Sequence, residues 1–329
     1  MVKKLISIIV PVYNVAAYLE VCLHSICHQL ESDVELIIVN DGSTDRSAEI
    51  IRFFAQKFVT IHVLTQNNLG LSSARNAGLN VAIGRYVWFV DGDDFVVENA
   101  LDSLKNILCQ HPDVDMLRFG YFQFSDESGA ILKSFHPTDA GPLSANLYFN
   151  SHEMMHEACM GLYRRDYLSA NHICFAEDLI FEDTVFNVQA YSAGGSLLVR
   201  SLQLYWYRMR PGSLSRSDTS IKKIQSIIYL LKICDKIIDT NKRNIPAVGF
   251  VADKKLDFIN LLIDHLFCFD EYSSAQKWAV FQKVNPRIPV LNKNRFGIKV
   301  MKIFLRFVSK LYFTVRWISL KKGWTLPNI

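Results

Sequence analysis

A chain of 329 residues that is 50% hydrophobic and 21% charged is too apolar to stay disordered and too long for one small domain, so a large α/β unit with a smaller appendage is expected. Its formal charge of +4 conceals a split: the last 58 residues hold twelve Lys and Arg and no Asp or Glu, a basic tail suited to an anionic surface. Seven scattered cysteines with no C-x-x-C pair argue against a zinc ribbon or a disulfide framework and read as reduced, mostly buried thiols of a cytosolic protein.

Lys3 and Lys4 precede LISIIVPV, but the apolar run ends at Tyr13 and Asn14, so it reads as a buried strand and not as the core of a signal peptide. No uninterrupted apolar stretch of about 18 residues occurs, and no membrane-spanning helix is expected. Strands over 5–13, 34–40, 60–64 and 85–91 alternate with helices over 16–29, 44–57, 70–82 and 98–110. Strands apolar on both faces and separated by helices imply βαβ units and a largely parallel sheet. Residues 113–150 begin with a sheet extension, VDMLRFGYFQF, and pass into a Gly, Pro, Ser and Asp-rich stretch that reads as a loop over the site. A helix near 182–192 and a strand near 196–207 follow; beyond Ser217 the pattern is helical, over 218–239, 246–270, 273–284 and 296–319. The expected organisation is a catalytic domain over 1–217, with a nucleotide half (1–110) and an acceptor half (111–217), then a helical C-terminal region over 218–329.

Two aspartate groups fall at the ends of expected strands, where open α/β sheets bind ligands. The first is VNDGSTD, with Asp41 closing the strand and Asp45 opening the next helix; a plain turn with an N-cap would account for it equally. The second is VDGDD, where Asp91, Asp93 and Asp94 stand within four residues. Carboxylates this close repel one another unless a cation sits among them, and hard oxygen ligands suit Mg²⁺ or Mn²⁺.

IIVPVYN (8–14), VNDGSTD (39–45), QNNLGLSSARNAG (66–78) and VWFVDGDD (87–94) together resemble the successive signatures of inverting family 2 glycosyltransferases. The resemblance implies a GT-A type nucleotide-binding mixed α/β sheet flanked by helices. It also implies a nucleotide-sugar donor, a UDP-hexose or UDP-N-acetylhexosamine, and a glycan or lipid-linked acceptor. By the same resemblance Pro11, Tyr13 and Asn14 line the nucleotide pocket and Asp41 accepts a hydrogen bond from the uracil. Gly70 permits close backbone approach, Arg75 and Asn76 lie near the donor, Asp91 is the sugar-side or ribose-side carboxylate, and Asp93 with Asp91 holds Mn²⁺ or Mg²⁺.

Inverting transfer needs an acceptor-side carboxylate to deprotonate the attacking hydroxyl. FEDTVF is similar to the family's acidic segment before an amphipathic helix, which makes Asp183 the base and Glu182 its neighbour; two acidic residues favouring a helix N-terminus would look the same. In YWYRMRPGSLSRS (205–217), Arg208 and Arg210 offer forks and Ser213 and Ser215 hydroxyls for a diphosphate. The Q-x-x-R-W signature of processive members is absent, which points to single addition, and CMGLYRR has Gly161 where relatives often carry Lys. A sugar nucleotidyltransferase could share the sheet and metal carboxylates without needing Asp183. HEMMH (152–156) fits the zinc-peptidase pattern, with Glu177 as a third ligand, and keeps a zinc hydrolase as a further alternative; otherwise its two histidines are expected on a helix, partly exposed near the acceptor cleft. Over 296–322 apolar residues at helical spacing alternate with Lys and Arg, suiting peripheral contact with the anionic inner face of the cell membrane. No nucleic-acid motif accompanies that charge, and no nucleic-acid partner is expected.

Overall fold

Strand β1 (Ile6–Val12), ISIIVPV, is buried along its whole length, as a strand covered by helices on both faces must be. In the computed structural model it pairs in parallel with β2 (Val34–Asp41) on one side and β4 (Tyr86–Phe89) on the other, and β3 (Ile61–Gln66) extends the sheet beyond β2. The structure describes residues 3–210, 220–241, 243–268 and a few positions between 271 and 280. It divides into two compact units, Met1–Ser217 and Asp218–Ile329.

The first unit is built on a ten-stranded sheet in the order β3-β2-β1-β4-β9-β6-β10-β5. Strands β9 (Gly161–Arg164), β6 (Met116–Ser125), β10 (Ser196–Met209) and β5 (Phe95–Val96) complete the path. Because β9 runs antiparallel to both β4 and β6, the sheet is mixed, as a GT-A sheet should be. Helices α1 (Ala16–Cys27), α2 (Ser47–Lys57), α3 (Leu71–Val81) and α4 (Ala100–Gln110) connect the first strands. On α1 the buried residues Leu19, Cys22, Leu23, Ile26 and Cys27 form one apolar stripe. On α3 the inward stripe includes Gly78, where a Cβ would stand 2.4 Å from Ile9 Cγ2; the helix can approach β1 this closely only through glycine.

The stretch expected as a loop over the site is instead structured. Strand β7 (Ile131–Phe135) pairs antiparallel with β6, and β8 (Ala140–Ser144) pairs with β10 before the short α5 (Ala145–Tyr148). The β6–β7 turn closes with Gly129 N–H donating to Ser125 O at 2.8 Å and Ser125 N–H to Ala130 O at 2.9 Å. Helices α6 (Arg165–Ala170) and α7 (Glu182–Ser192) follow β9.

The second unit contains α8 (Ile221–Thr240), N-capped by Ser220 Oγ, and α9 (Ile245–Cys268). The two pack through residues such as Ile227, Leu231, Val251 and Leu262, and the buried Lys255 pairs with Asp235 at 2.5 Å. No described helix is long and apolar enough to cross a membrane. The expected amphipathic segment 296–322, and Ser213 and Ser215, lie outside the described residues.

Candidate active site

In the order β3-β2-β1-β4 the chain runs outward from β1 through β2 to β3 and then crosses back to β4 on the other side of β1, and the C-terminal ends of strands at such a reversal are where open α/β sheets bind ligands. Pro11 is buried within β1, while Tyr13, just past its end, is 45% exposed. Asn14 takes the left-handed conformation, φ +51°, and its Oδ1 accepts from Thr44 N at 2.8 Å and Asp45 N at 3.3 Å. Asp45 answers by accepting from Ala16 N and Ser47 N, both at 2.9 Å. Partial burial works against its charge, but the Ser47 hydroxyl and these amides hold its pKa below the ordinary value.

Asp41 is already engaged by donors of the protein itself. It is buried, and it accepts from Gln66 Nε2 at 2.8 Å, Leu69 N at 2.9 Å and Gly70 N at 2.9 Å, so it shapes the loop entering α3. Gly70 holds φ +91°, a region that side chains avoid, and nothing lies within 4 Å of the space a Cβ would fill. Asn76 is likewise occupied: its side chain clamps the backbone of Phe175, donating to O and accepting from N at 2.9 Å each.

The centre of the site is Arg75. It is 1% exposed, and its guanidinium meets Asp183 Oδ1 at 2.5 Å, Asp91 Oδ1 at 2.7 Å and Glu182 Oε1 at 3.3 Å, over the face of Phe175. One cation thus joins the carboxylate at the end of β4 to the pair opening α7. Burial opposes its charge, but Asp183, Asp91 and Glu182 together drive its pKa well above the usual value. Burial, then the neighbouring Asp183 charge, pushes Glu182 up to about 7 despite Arg75. Burial also raises Asp183, against the pull of Arg75 and of the Ala158 amide, which donates to Asp183 Oδ2 at 3.0 Å.

The three aspartates after β4 have three different environments. Asp94 is buried and accepts from Tyr205 OH at 2.8 Å and Arg208 N at 2.7 Å; burial and the charges of Asp93 and Asp91 raise its pKa well above the usual range. Asp93 Oδ2 pairs with Arg210 Nε at 2.8 Å. Arg208 is not free to serve as the phosphate fork expected from the sequence. Its Nη1 pairs with Asp126 and its Nε donates to the Asp93 carbonyl, both at 2.6 Å, against Tyr18 and Phe124. Arg210, two residues on, is the arginine whose side chain pairs with a carboxylate of the acidic cluster.

Among the described residues no three His, Cys, Asp or Glu side chains are arranged to hold a metal ion unaided. Asp91 Oδ2 and Asp93 Oδ1 take no hydrogen bond among the described residues, which leaves two hard carboxylate oxygens. That donor set fits Mg²⁺ or Mn²⁺ completed by phosphate oxygens and water. The HEMMH reading fails: residues 153–157 form no helix, so His152 and His156 do not share a helical face. His152 stacks on Tyr148 at 4.0 Å, and His156 contacts Thr184 Oγ1 at 3.3 Å. Both are exposed, and Glu177 is an exposed surface residue.

A family model described as Glycosyl transferase family 2 matches residues 7–170. The chain is 36% identical to the uncharacterized glycosyltransferase EpsJ of Bacillus subtilis, over 64% of this chain and 63% of that one. It is 34% identical to the glycosyltransferase GlyA of Streptococcus pneumoniae, over 89% of this chain and 42% of that one, so it spans less than two thirds of either relative. The fold is that of S. aureus TarS residues 1–349, solved in complex with UDP-GlcNAc: TM-score 0.62 and 21% identity, over 85% of this chain and 90% of that one.

Proposed function

The chain carries a glycosyl transferase family 2 domain, and on that premise we propose that it moves a single hexosyl unit, with inversion, from a UDP-linked sugar to a glycan or lipid-linked acceptor in surface-polysaccharide assembly. The observation that carries this reading is the opposition of two carboxylate groups across Arg75: Asp91 and Asp93 after β4, Glu182 and Asp183 at the start of α7. Displacement with inversion needs charge control on the leaving side and a base on the attacking side, and the site offers both.

On the donor side Tyr13, exposed beside β1, supplies a face for the uracil, and the Gly70 backbone leaves room for the nucleotide. Asp91 and Asp93 would hold Mg²⁺ or Mn²⁺, whose chemistry is to neutralise charge on the departing diphosphate. Arg210 supplies a fixed guanidinium next to that position. On the acceptor side Asp183 takes the proton of the attacking hydroxyl. Burial and the Asp183 charge push Glu182 up to about 7, which favours a shared proton on the pair. We assign it to Glu182, because the Ala158 amide and the shorter contact to Arg75 stabilise Asp183 as the anion. A nucleotidyltransferase would have no use for this acidic pair, so its presence favours transfer.

The basic 296–322 segment is assigned to peripheral contact with the inner face of the cell membrane, supported by its run of cations without a single carboxylate. The test of the donor assignment is calorimetric titration of UDP into metal-stripped protein with and without Mn²⁺. Binding that needs Mn²⁺ is expected; equal binding in both conditions, or none in either, would overturn it.

A further inference from the structure

Arg118, on β6, is fully buried, yet among the described residues it forms no ion pair. The Glu157 charge acts on it only from beyond ion-pair distance, so its burial carries a desolvation cost that an apolar side chain of similar size avoids, and packing alone does not account for it. Its guanidinium lies between the rings of Tyr163 and Tyr191, at 5.8 and 6.0 Å. Nη1 donates to Tyr163 OH at 2.5 Å, and Nη2 donates to the Glu157 carbonyl at 2.6 Å.

Glu157 belongs to a run, 155–159, that is neither helix nor strand. Four of its five carbonyls are nevertheless taken by different side chains. Tyr191 OH donates to Met155 O at 3.0 Å, and Asn187 Nδ2 to His156 O at 2.7 Å. Arg118 holds Glu157 O, Trp88 Nε1 donates to Cys159 O at 2.8 Å, and Tyr163 OH, 3.3 Å from Ala158 O, gives its single proton to the nearer Asn187 Oδ1 at 2.8 Å. Asp183, Asn187 and Tyr191 recur at four-residue spacing on one face of α7, so the run is fastened along the helix that carries Asp183. The amide this arrangement leaves pointing outward is that of Ala158, which donates to Asp183 Oδ2 at 3.0 Å.

We propose that residues 155–159 form a fixed strap that orients the Asp183 carboxylate through the Ala158 amide, and that Arg118 is the positioning residue that sets the strap. The inference rests on the reading of Asp183 as the base. Arg75 grips one oxygen and the strap the other, so the carboxylate cannot rotate, and its outward lone pairs are aimed at one place. Arg118 touches neither donor nor acceptor and acts only through the backbone it holds.

The test compares wild type, Arg118→Met and Arg118→Lys, labelled with ¹⁵N-alanine, the Ala158 resonance being assigned by its loss in Ala158→Gly. In Arg118→Met the Ala158 amide proton should lose the downfield position that a carboxylate acceptor gives it. Turnover, read as UDP release from a panel of UDP-hexoses, should fall on the order of 10²-fold, as for a misplaced catalytic group. Affinity for UDP with Mn²⁺ should stay within about twofold, since uniform donor binding is untouched. Arg118→Lys, which keeps one donor for Glu157 O, should recover part of both signals. An unchanged Ala158 resonance with unchanged turnover, or a UDP affinity that falls in step with turnover, would overturn the strap. Should Arg118→Met not fold, Tyr163→Phe, which removes one hydroxyl of the same network, gives the same readouts. Asp183→Asn separates the two levels: if it still transfers sugar the base reading falls, whereas if it is inactive while Arg118→Met is normal, only the strap falls.

Discussion

Glu182 is where the electrostatics of the site can be measured as stability. Burial, with the charge of Asp183 beside it, lifts its pKa from 4.5 to about 7. A raised value means that the native state holds the proton more tightly than the unfolded chain does. The stability it contributes is therefore fully present below about pH 4.5 and is lost as pH rises through about 7. The gap between those values corresponds to about 3 kcal/mol. The Glu182 side chain is 13% exposed, so solvent screens little of this. Glu182→Gln carries the neutral shape at every pH. It should be more stable than wild type by up to about 3 kcal/mol at pH 8, with the gain shrinking toward zero at pH 4.5. For a unit of this size that is a rise in Tm of roughly 6–12 °C. Urea unfolding at pH 4.5, 6, 7 and 8, followed by tryptophan fluorescence, measures it. A gain independent of pH, or a loss at pH 8, would show that Arg75 fully compensates Glu182 and that the site stores no such charge.

Asp93→Ala should abolish the Mn²⁺-dependent part of UDP binding, whereas Asp183→Asn should retain it and lose sugar transfer; paired calorimetry and UDP-release assays decide, and equal loss of binding in both would break the assignment of roles. Asp41→Ala removes the acceptor of the Leu69 and Gly70 amides, and should cost about 3 kcal/mol and strip hydrogen-exchange protection from those two positions. Deleting residues 296–329 should move the protein from the pellet to the supernatant when vesicles rich in anionic lipid are sedimented; an unchanged distribution would refute the membrane assignment.

The doubly covered strands were legible because β1, β2 and β4 are apolar on both faces, which leaves the chain few other solutions. The β6–β7 hairpin was hidden because β7, ILKSF, is exposed on nearly all of its length and shows no inward stripe; the signal available was Gly129 at the end of a polar turn. The acid-binding role of Arg75 had a readable clue. Three residues before Gly78, which must face β1, it falls on the inward stripe of α3, and an arginine pointing inward needs polar partners, of which carboxylates answer its charge best. Which carboxylates was not readable, since Glu182 and Asp183 lie more than a hundred residues away. The reverse error is HEMMH, whose letters fit a metal helix. Here side chains of α7, β6 and β4 take carbonyls of residues 155–159 that a helix would have used, and they hold the chain irregular.

The pairing of acids and arginines also bears on when a metal can enter. Asp91 already answers Arg75, and Asp93 answers Arg210, so the two carboxylates are not bare charges waiting for a cation. An ion arriving alone would find one oxygen on each carboxylate, their charge already partly answered by the guanidiniums, and among the described residues no third protein ligand to offset its lost water. A diphosphate would supply the remaining oxygen ligands, and its anionic charge would lie next to the Arg210 guanidinium. On the proposed reading, Asp91 and Asp93 would therefore hold an ion together with the nucleotide better than alone. Arg75, sealed at 1% exposure between the two acidic groups, ties them together through Asp91 and Asp183.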